Sequence, residues 1–137
     1  MEAVFVDSDI VMDLLTGRLP HHQHAASLFS LADQGIVSLY VSSLTFANVH
    51  YIISQQLSAQ QARKILLTFK TLVKVLSVND KILELALSSD FRDFEDAIQY
   101  HTAVEHKIET LLTRNLKDYK KANITIMTAQ QFVTTLE

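Results

Sequence analysis

The chain has 137 residues, of which 48% are hydrophobic and 20% are charged, so we expect one folded domain over residues 1–137 and exclude a disordered chain. Its formal charge of -3 excludes a strongly basic nucleic-acid coat protein, and the absence of cysteine excludes disulfides, Cys-ligated zinc and thiol nucleophiles. The two glycines, Gly17 and Gly35, are too far apart to form a glycine-rich phosphate loop.

Short apolar runs alternate with longer segments of helical periodicity along the whole chain. We predict five strands, at Ala3–Val6, Ile36–Val41, Leu72–Val78, Thr110–Thr113 and Ile124–Met127. We predict helices that begin at Ser8 or Asp9, after Pro20, at Ser42 or Ser43, at Ser58 within a capping box, at Asn79, at Asp93 and at Thr128, and one helical turn over Leu116–Lys120. This order predicts an α/β fold, a three-layer α/β/α sandwich with a central, mainly parallel five-stranded sheet.

Polar side chains follow two of the predicted strands. Asp7 comes directly after the first strand, Thr113–Asn115 directly follow the fourth, and Asp118 stands one turn later. Asp96 lies in the first turn of the helix before the fourth strand. Functional groups gather beyond the carboxyl ends of parallel strands, and crowded carboxylates need a cation to relieve their repulsion. The pattern therefore predicts a site for Mg²⁺ or Mn²⁺, which prefer oxygen ligands.

Four stretches stand in a specific order that covers nearly the whole chain: Val4–Leu15, Val41–Thr45, Asp93–Ala97 and Thr113–Asp118. Together they resemble the PIN-domain family, in particular the VapC-type toxins of bacterial toxin–antitoxin pairs. The resemblance implies a Mg²⁺- or Mn²⁺-dependent endoribonuclease that hydrolyses RNA phosphodiester bonds. It also implies a homodimer that a cognate antitoxin protein holds inactive.

The resemblance assigns roles by position. Asp7, Asp96 and Asp118 match the three aspartates of the acidic site, where they would bind metal and catalyse hydrolysis. Asp93 matches a second acid before the Asp-Ala pair, and Thr113 matches the hydroxyl residue that orients the first aspartate. Arg114 and Asn115 match residues beside the site that meet phosphate or hold the loop. Ser8 and Asp9, next to Asp7, complete the expected substrate-binding or orienting set.

Asn48 is the departure from the family pattern, because PIN nucleases usually carry a Glu on the helix after the second strand. An amide offers a neutral oxygen ligand, but it supplies no negative charge and no base. Asp93 or Asp9 would then supply the charge, or the Asn48 amide would hydrogen-bond Asp7 or Asp93 and hold it in place. The departure keeps a second function open, a catalytically weak or inactive PIN-like module that binds RNA or protein.

Several other polar residues have a structural and a functional interpretation. Asp93 caps a helix or joins the acidic site, while Asp13 is expected on a solvated helix face. Tyr119 stacks on a base or packs in the fold. A basic rim formed by Arg114 with Lys117, Lys120 and Lys121 is a solvated turn or a track for RNA phosphates.

Two further expectations concern metal binding by histidine and location in the cell. His21 and His24 share a helix face, but two ligands are too few for zinc, and we expect them to begin a polar helix. No run approaches the ~18 apolar residues of a membrane span, and the first residues lack the basic region of a signal peptide. We therefore expect a cytoplasmic protein with no membrane contact.

Overall fold

The computed structural model describes residues 1–137 and has one five-stranded parallel sheet in the order β3-β2-β1-β4-β5. The strands are β1 (Glu2–Val6), β2 (Val37–Ser42), β3 (Lys74–Leu76), β4 (Thr110–Leu112) and β5 (Thr125–Met127). The α-helices are α1 (Ser8–Thr16), α2 (His22–Asp33), α3 (Ser43–Gln56), α4 (Ala59–Phe69), α5 (Asp80–Leu87), α6 (Phe94–Glu105) and α7 (Ala129–Thr135), and 3₁₀ helices span Lys70–Leu72 and Leu116–Tyr119. The predicted α/β fold is confirmed.

Strand β1 lies at the centre of the sheet, between β2 and β4. Successive connections run from β1 to β2 and β3 on one side, and β4 and β5 lie on the other, so the strand order reverses beside β1. Ligand sites of open parallel sheets form at such a reversal, beyond the carboxyl ends of the strands. The backbone N–H of Asp7 donates to the carbonyl of Leu112 (2.9 Å), which brings the ends of β1 and β4 together at this point.

Alternating side chains of β1 supply the two faces of the sheet. Val4 and Val6 are fully buried in a core with residues of α1, α2, α3 and α4, including Leu28 and Phe69. Phe5 is fully buried on the opposite face, in a smaller cluster with residues of α6 and β4. Because both faces are covered there, the strand is apolar from Ala3 to Val6, directly before Asp7.

The helix starts follow the expected side-chain caps, with two corrections. Asp7, and neither Ser8 nor Asp9, is the N-cap of α1, and its side chain accepts the N–H of Ser8. The capping box predicted at Ser58 is incomplete, because the side chain of Gln61 accepts from the Ser58 hydroxyl instead of from its backbone N–H. The remaining predicted caps are confirmed at the starts of α3, α5, α6 and α7: Ser42, Asn79, Asp93 and Thr128.

The third strand is shorter than predicted. The predicted strand begins at Leu72, but Leu72 belongs to a 3₁₀ helix over Lys70–Leu72, and only Lys74–Leu76 pair with β2. This strand is at the edge of the sheet, where an exposed lysine discourages pairing with another chain. No helix has both the length and the apolar character needed to cross a membrane.

Candidate active site

Asp7 is the centre of a hydrogen-bonded group at the carboxyl edge of the sheet, and its side chain is almost fully buried. Its Oδ1 accepts the backbone N–H of Ser8 (2.7 Å). Its Oδ2 accepts the hydroxyl groups of Thr113 (2.9 Å) and Tyr119 (3.0 Å). Burial raises the pKa of Asp7 more than these hydrogen bonds lower it. The chain therefore folds around a carboxylate that is costly to ionise.

Asp9, two residues further along α1, faces the same group. Its Oδ2 accepts the backbone N–H of Arg114 (2.9 Å) and lies 3.3 Å from the Thr113 hydroxyl. Its Oδ1 is buried and has no hydrogen-bond partner. Burial and the charge of Asp7 raise the pKa of Asp9 to about 6. An unpaired carboxylate oxygen in such a place is a good ligand for a cation.

Asp96 reaches the group from the first turn of α6. Its backbone N–H donates to Asp93 Oδ1 (3.0 Å), and its Oδ1 lies 3.4 Å from the Tyr119 hydroxyl. Burial and the charges of Asp7, Asp93 and Asp118 raise the pKa of Asp96 to about 7. The predicted site aspartates Asp7 and Asp118 therefore lie close enough to Asp96 for their charges to oppose its ionisation.

The starts of α3 and α6 are joined by a buried polar network beneath the site. The hydroxyl of Ser42 donates to Gln99 Oε1 (2.7 Å), and Gln99 Nε2 donates to the hydroxyl of Thr45 (2.9 Å). All three side chains are at most 2% exposed. Gln99 is three residues after Asp96, and Thr45 is three residues before Asn48. The network thus fixes the two helices that carry these site residues.

Asn48 shares a cavity of about 350 Å³ with Asp9 and Glu95. Its Nδ2 is buried and has no hydrogen-bond partner, so the orienting bond to Asp7 or Asp93 is not formed. Glu95 did not figure among the predicted site residues, although it stands directly before Asp96 in the sequence. It adds an exposed carboxylate on the side of the site where the family pattern expects one.

Arg114 and Asp13 correct two predictions. Asp13 is 1% exposed, not solvated, and the guanidinium of Arg114 binds both of its oxygens, at 2.7 Å through Nε and 3.2 Å through Nη2. Arg114 therefore holds the loop after β4 against α1 and does not belong to the basic rim. His21 and His24 line an adjoining cavity of about 230 Å³, and the Nδ1–H of His22 donates to the Asp13 carbonyl (3.0 Å).

A groove of about 320 Å³ beside Asp118 carries the remaining basic rim. We call it the basic groove; its lining side chains are Asp90, Phe91, Arg92, Lys117, Asp118, Lys120 and Lys121. Lys117, Lys120 and Lys121 are exposed, and Lys121 lies 3.9 Å from Asp90. Tyr119 is 2% exposed and packs edge-on against Phe91, so it is not available to stack on a base.

The donors at this edge have the chemistry that a hard divalent cation requires, although they do not form a finished cage. No three His, Cys, Asp or Glu side chains are gathered closely enough to hold a metal ion. Asp7, Asp9 and Asp96 nevertheless have raised pKa values, and Asp9 Oδ1 is buried without a partner. Mg²⁺ and Mn²⁺ bind such oxygen donors and offset their repulsion, so the residues fit the ion that the resemblance implies.

Comparison with known proteins agrees with this architecture. The structure is similar to a toxin–antitoxin complex from Klebsiella pneumoniae (23% identity, TM-score 0.67, covering 92% of this chain and 97% of that one). It is similar to DNA-bound VapBC from Salmonella typhimurium (16% identity, TM-score 0.69, covering 93% of this chain and 97% of that one). It is also similar to Mycobacterium tuberculosis VapC20, described as a Sarcin-Ricin loop cleaving toxin (18% identity, TM-score 0.63, covering 79% of this chain and 86% of that one).

Sequence comparison identifies the family directly. None of the curated proteins matches the chain. The sequence profile of the PIN domain, by contrast, matches residues 3–117, which contain the sheet edge with all its aspartates except Asp118. The match covers well over half of the 137 residues. The chain therefore belongs to the PIN-domain family.

Proposed function

We propose that this chain is a metal-dependent ribonuclease that hydrolyses RNA phosphodiester bonds and acts as the toxin of a toxin–antitoxin pair. The observation that carries the proposal is the meeting of Asp7, Asp9 and Asp96 at the carboxyl edge of the sheet, all with raised pKa values. Perturbed acids gathered in a cleft are typical of functional sites, because a purely structural role does not need the repulsion.

The proposed metal ligands are the oxygen donors of this edge: Asp7, Asp96, Asp118, Asp93 and Asn48. Asp7, Asp96 and Asp118 are also the proposed catalytic residues. When bound, Mg²⁺ or Mn²⁺ supplies the positive charge that phosphodiester hydrolysis needs at the phosphate and at the attacking water. Asp9, with its unpaired Oδ1, supplies negative charge that Asn48 lacks.

The surrounding residues hold these acids in place. Ser8 and Thr113 donate to the two oxygens of Asp7, so the carboxylate has a fixed orientation. The backbone N–H of Arg114 fixes Asp9, and that of Asn115 donates to the Thr113 hydroxyl (3.1 Å). We assign all of these residues to orientation of the acids: Ser8, Thr113 and Arg114 donate to a carboxylate, and Asn115 holds Thr113 in place.

The basic groove supports a nucleic-acid substrate. It brings Arg92, Lys117, Lys120 and Lys121 beside Asp118, while the whole chain is acidic. Phosphate contacts position a strand without reading its sequence, so the groove would hold the backbone next to the acids. The similarity to a structure described as a cleaving toxin supports a substrate that is cut as well as bound.

Similar structures also support a protein partner. Two of them are complexes of a toxin with its antitoxin or of VapBC, and we propose a cognate antitoxin for this chain. An apolar groove between α1 and α4 offers a surface for a protein; it is lined by Leu14, Leu15, Lys64, Ile65, Thr68, Phe69 and Leu72. The homodimer and the cytoplasmic location implied by the resemblance belong to the same proposal.

The test compares the wild type with Asp96→Asn, which keeps the shape of the side chain and removes its charge. We expect Mn²⁺ to raise the melting temperature of the wild type and to support cleavage of a labelled structured RNA, with much smaller effects in the variant. The exposed substitution Asp33→Asn serves as the matched control. Cleavage that persists in EDTA, or that Asp96→Asn leaves unchanged, contradicts the proposal.

The Asn48 departure decides between the nuclease and a PIN-like binding module. Because Asn48 Nδ2 donates to nothing, Asn48→Glu removes no hydrogen bond and adds an anion beside Asp9. For the nuclease, we expect tighter Mn²⁺ binding and faster RNA cleavage at limiting metal. Binding of RNA without cleavage at any Mn²⁺ concentration, in both the wild type and Asn48→Glu, favours the binding module.

A further inference from the structure

Tyr119 has a contact that no role described so far explains. Its hydroxyl lies 3.0 Å from Asp7 Oδ2 and 3.4 Å from Asp96 Oδ1, so one oxygen joins the two carboxylates. The side chain is 2% exposed and belongs to the cluster beneath the sheet edge. Packing alone would be satisfied by a phenyl ring, so the buried hydroxyl group needs a reason of its own.

The hydroxyl is a neutral donor under ordinary conditions. A tyrosine phenol ordinarily keeps its proton up to about pH 10, so the hydroxyl donates without carrying a charge. The hydroxyl has a single proton, which it donates to Asp7 Oδ2 (3.0 Å), and Asp96 Oδ1 is a second, more distant acceptor at 3.4 Å. It therefore stabilises the acid pair without neutralising it.

Thr113, the other hydroxyl donor to Asp7, has more contacts than Tyr119. A carboxylate oxygen has about two lone-pair positions, and Asp7 Oδ2 uses them for Thr113 and Tyr119. Thr113 is also tied to the backbone N–H of Asn115 and lies beside Asp9. A cation held by Asp7 and Asp96 would compete with these two donors for Asp7 Oδ2, and Tyr119 has fewer other contacts to lose than Thr113.

We propose that the Tyr119 hydroxyl is a placeholder at the site of a divalent cation: it donates to Asp7 Oδ2 within reach of Asp96, and a cation held by these two acids would compete with it for Asp7. This inference rests on the proposed metal site. Tyr119 is then an affinity-setting and positioning residue, and it lowers the affinity of the site for metal because binding breaks its hydrogen bonds.

The substitution Tyr119→Phe tests the placeholder with the loss of a single oxygen atom. Its matched control is Tyr100→Phe, because Tyr100 packs on the same Phe91 ring, and its hydroxyl accepts the N–H of Asn123 (3.0 Å) away from the acids. We expect both variants to melt at a lower temperature in EDTA. Only Tyr119→Phe should bind Mn²⁺ more tightly by calorimetric titration.

The expected decrease in the Kd for Mn²⁺ is about tenfold or more, the size of one hydrogen bond to a charged acceptor. Near-ultraviolet spectra give a second readout, since the chain has 4 tyrosines and no tryptophan. Mn²⁺ or Mg²⁺ should change the tyrosine spectrum of the wild type and of Tyr100→Phe, and should change that of Tyr119→Phe much less.

Asp7→Asn separates failure of this inference from failure of the proposed function. If the wild type binds Mn²⁺ through Asp7 but Tyr119→Phe binds no more tightly, the placeholder is wrong and the metal site stands. If Tyr100→Phe tightens binding equally, the effect belongs to the aromatic cluster and the placeholder is again wrong. If neither the wild type nor Tyr119→Phe binds Mn²⁺ through Asp7, both proposals are wrong.

Discussion

Replacing Asp9 by Asn isolates the cost of a buried charge at the sheet edge. An amide oxygen in the place of Oδ2 still accepts the N–H of Arg114, while the negative charge is lost. Burial and the charge of Asp7 raise the pKa of Asp9 from 3.8 to about 6 in the folded protein. Between these values the folded wild type binds more protons than the unfolded chain, so its free energy of unfolding falls as the pH rises.

The magnitude follows from the two pKa values. The difference between 3.8 and about 6 corresponds to roughly 3 kcal/mol of stability, present at low pH and lost as the pH rises through about 6. Roughly 2.5 kcal/mol of this develops between pH 4 and pH 8, because the unfolded carboxyl is already half ionised near pH 4. We therefore expect the free energy of unfolding of Asp9→Asn, relative to that of the wild type, to rise by roughly 2.5 kcal/mol between pH 4 and pH 8.

The assay is urea unfolding followed by circular dichroism in EDTA at several pH values. At each pH we take the difference in free energy of unfolding between variant and wild type, and then compare these differences across pH. Costs that do not depend on pH cancel in this comparison, including that of an amide group placed where Oδ1 has no partner. The exposed substitution Asp33→Asn, measured at the same pH values, is the matched control. A curve for Asp9→Asn parallel to that of the wild type would refute the reasoning, because it would mean that the charge of Asp9 costs nothing.

Two further predictions concern the contacts that hold the site. Arg114→Ala leaves the 1%-exposed Asp13 with only a 3.7 Å contact to Arg18. We expect the free energy of unfolding, measured by calorimetry, to fall by about 3–5 kcal/mol, and a fall below about 1 kcal/mol would contradict the buried pair. Gln99→Leu removes the 2.7 Å acceptor of the Ser42 hydroxyl and leaves it only the longer contact to the Thr45 hydroxyl (3.3 Å). We expect the free energy of unfolding in urea to fall by about 1–3 kcal/mol, and an unchanged midpoint would show that the network does not stabilise the fold.

The local pattern of the sequence was enough to predict the elements and their order. Polar residues that cap helices stand at the starts of α3 and α6, and apolar runs mark β1, β2 and β4. Capping and strand burial depend on a few neighbouring residues, so they can be read along the chain. The parallel arrangement then predicted that Asp7 and Thr113 meet at one edge, and they are 2.9 Å apart in the structure.

Tertiary structure alone decided which polar side chains are buried and with what partners. Asp13 has the spacing of a solvated helix residue, but Arg114, from a loop 101 residues away in sequence, binds its two oxygens. Tyr119 could be expected only to pack in the core, yet its hydroxyl lies between Asp7, just after β1, and Asp96 of α6. Periodicity predicts which face of a helix a residue occupies. A hydrogen bond between distant segments depends instead on how their helices and strands pack together, and a single sequence does not give the distance between them.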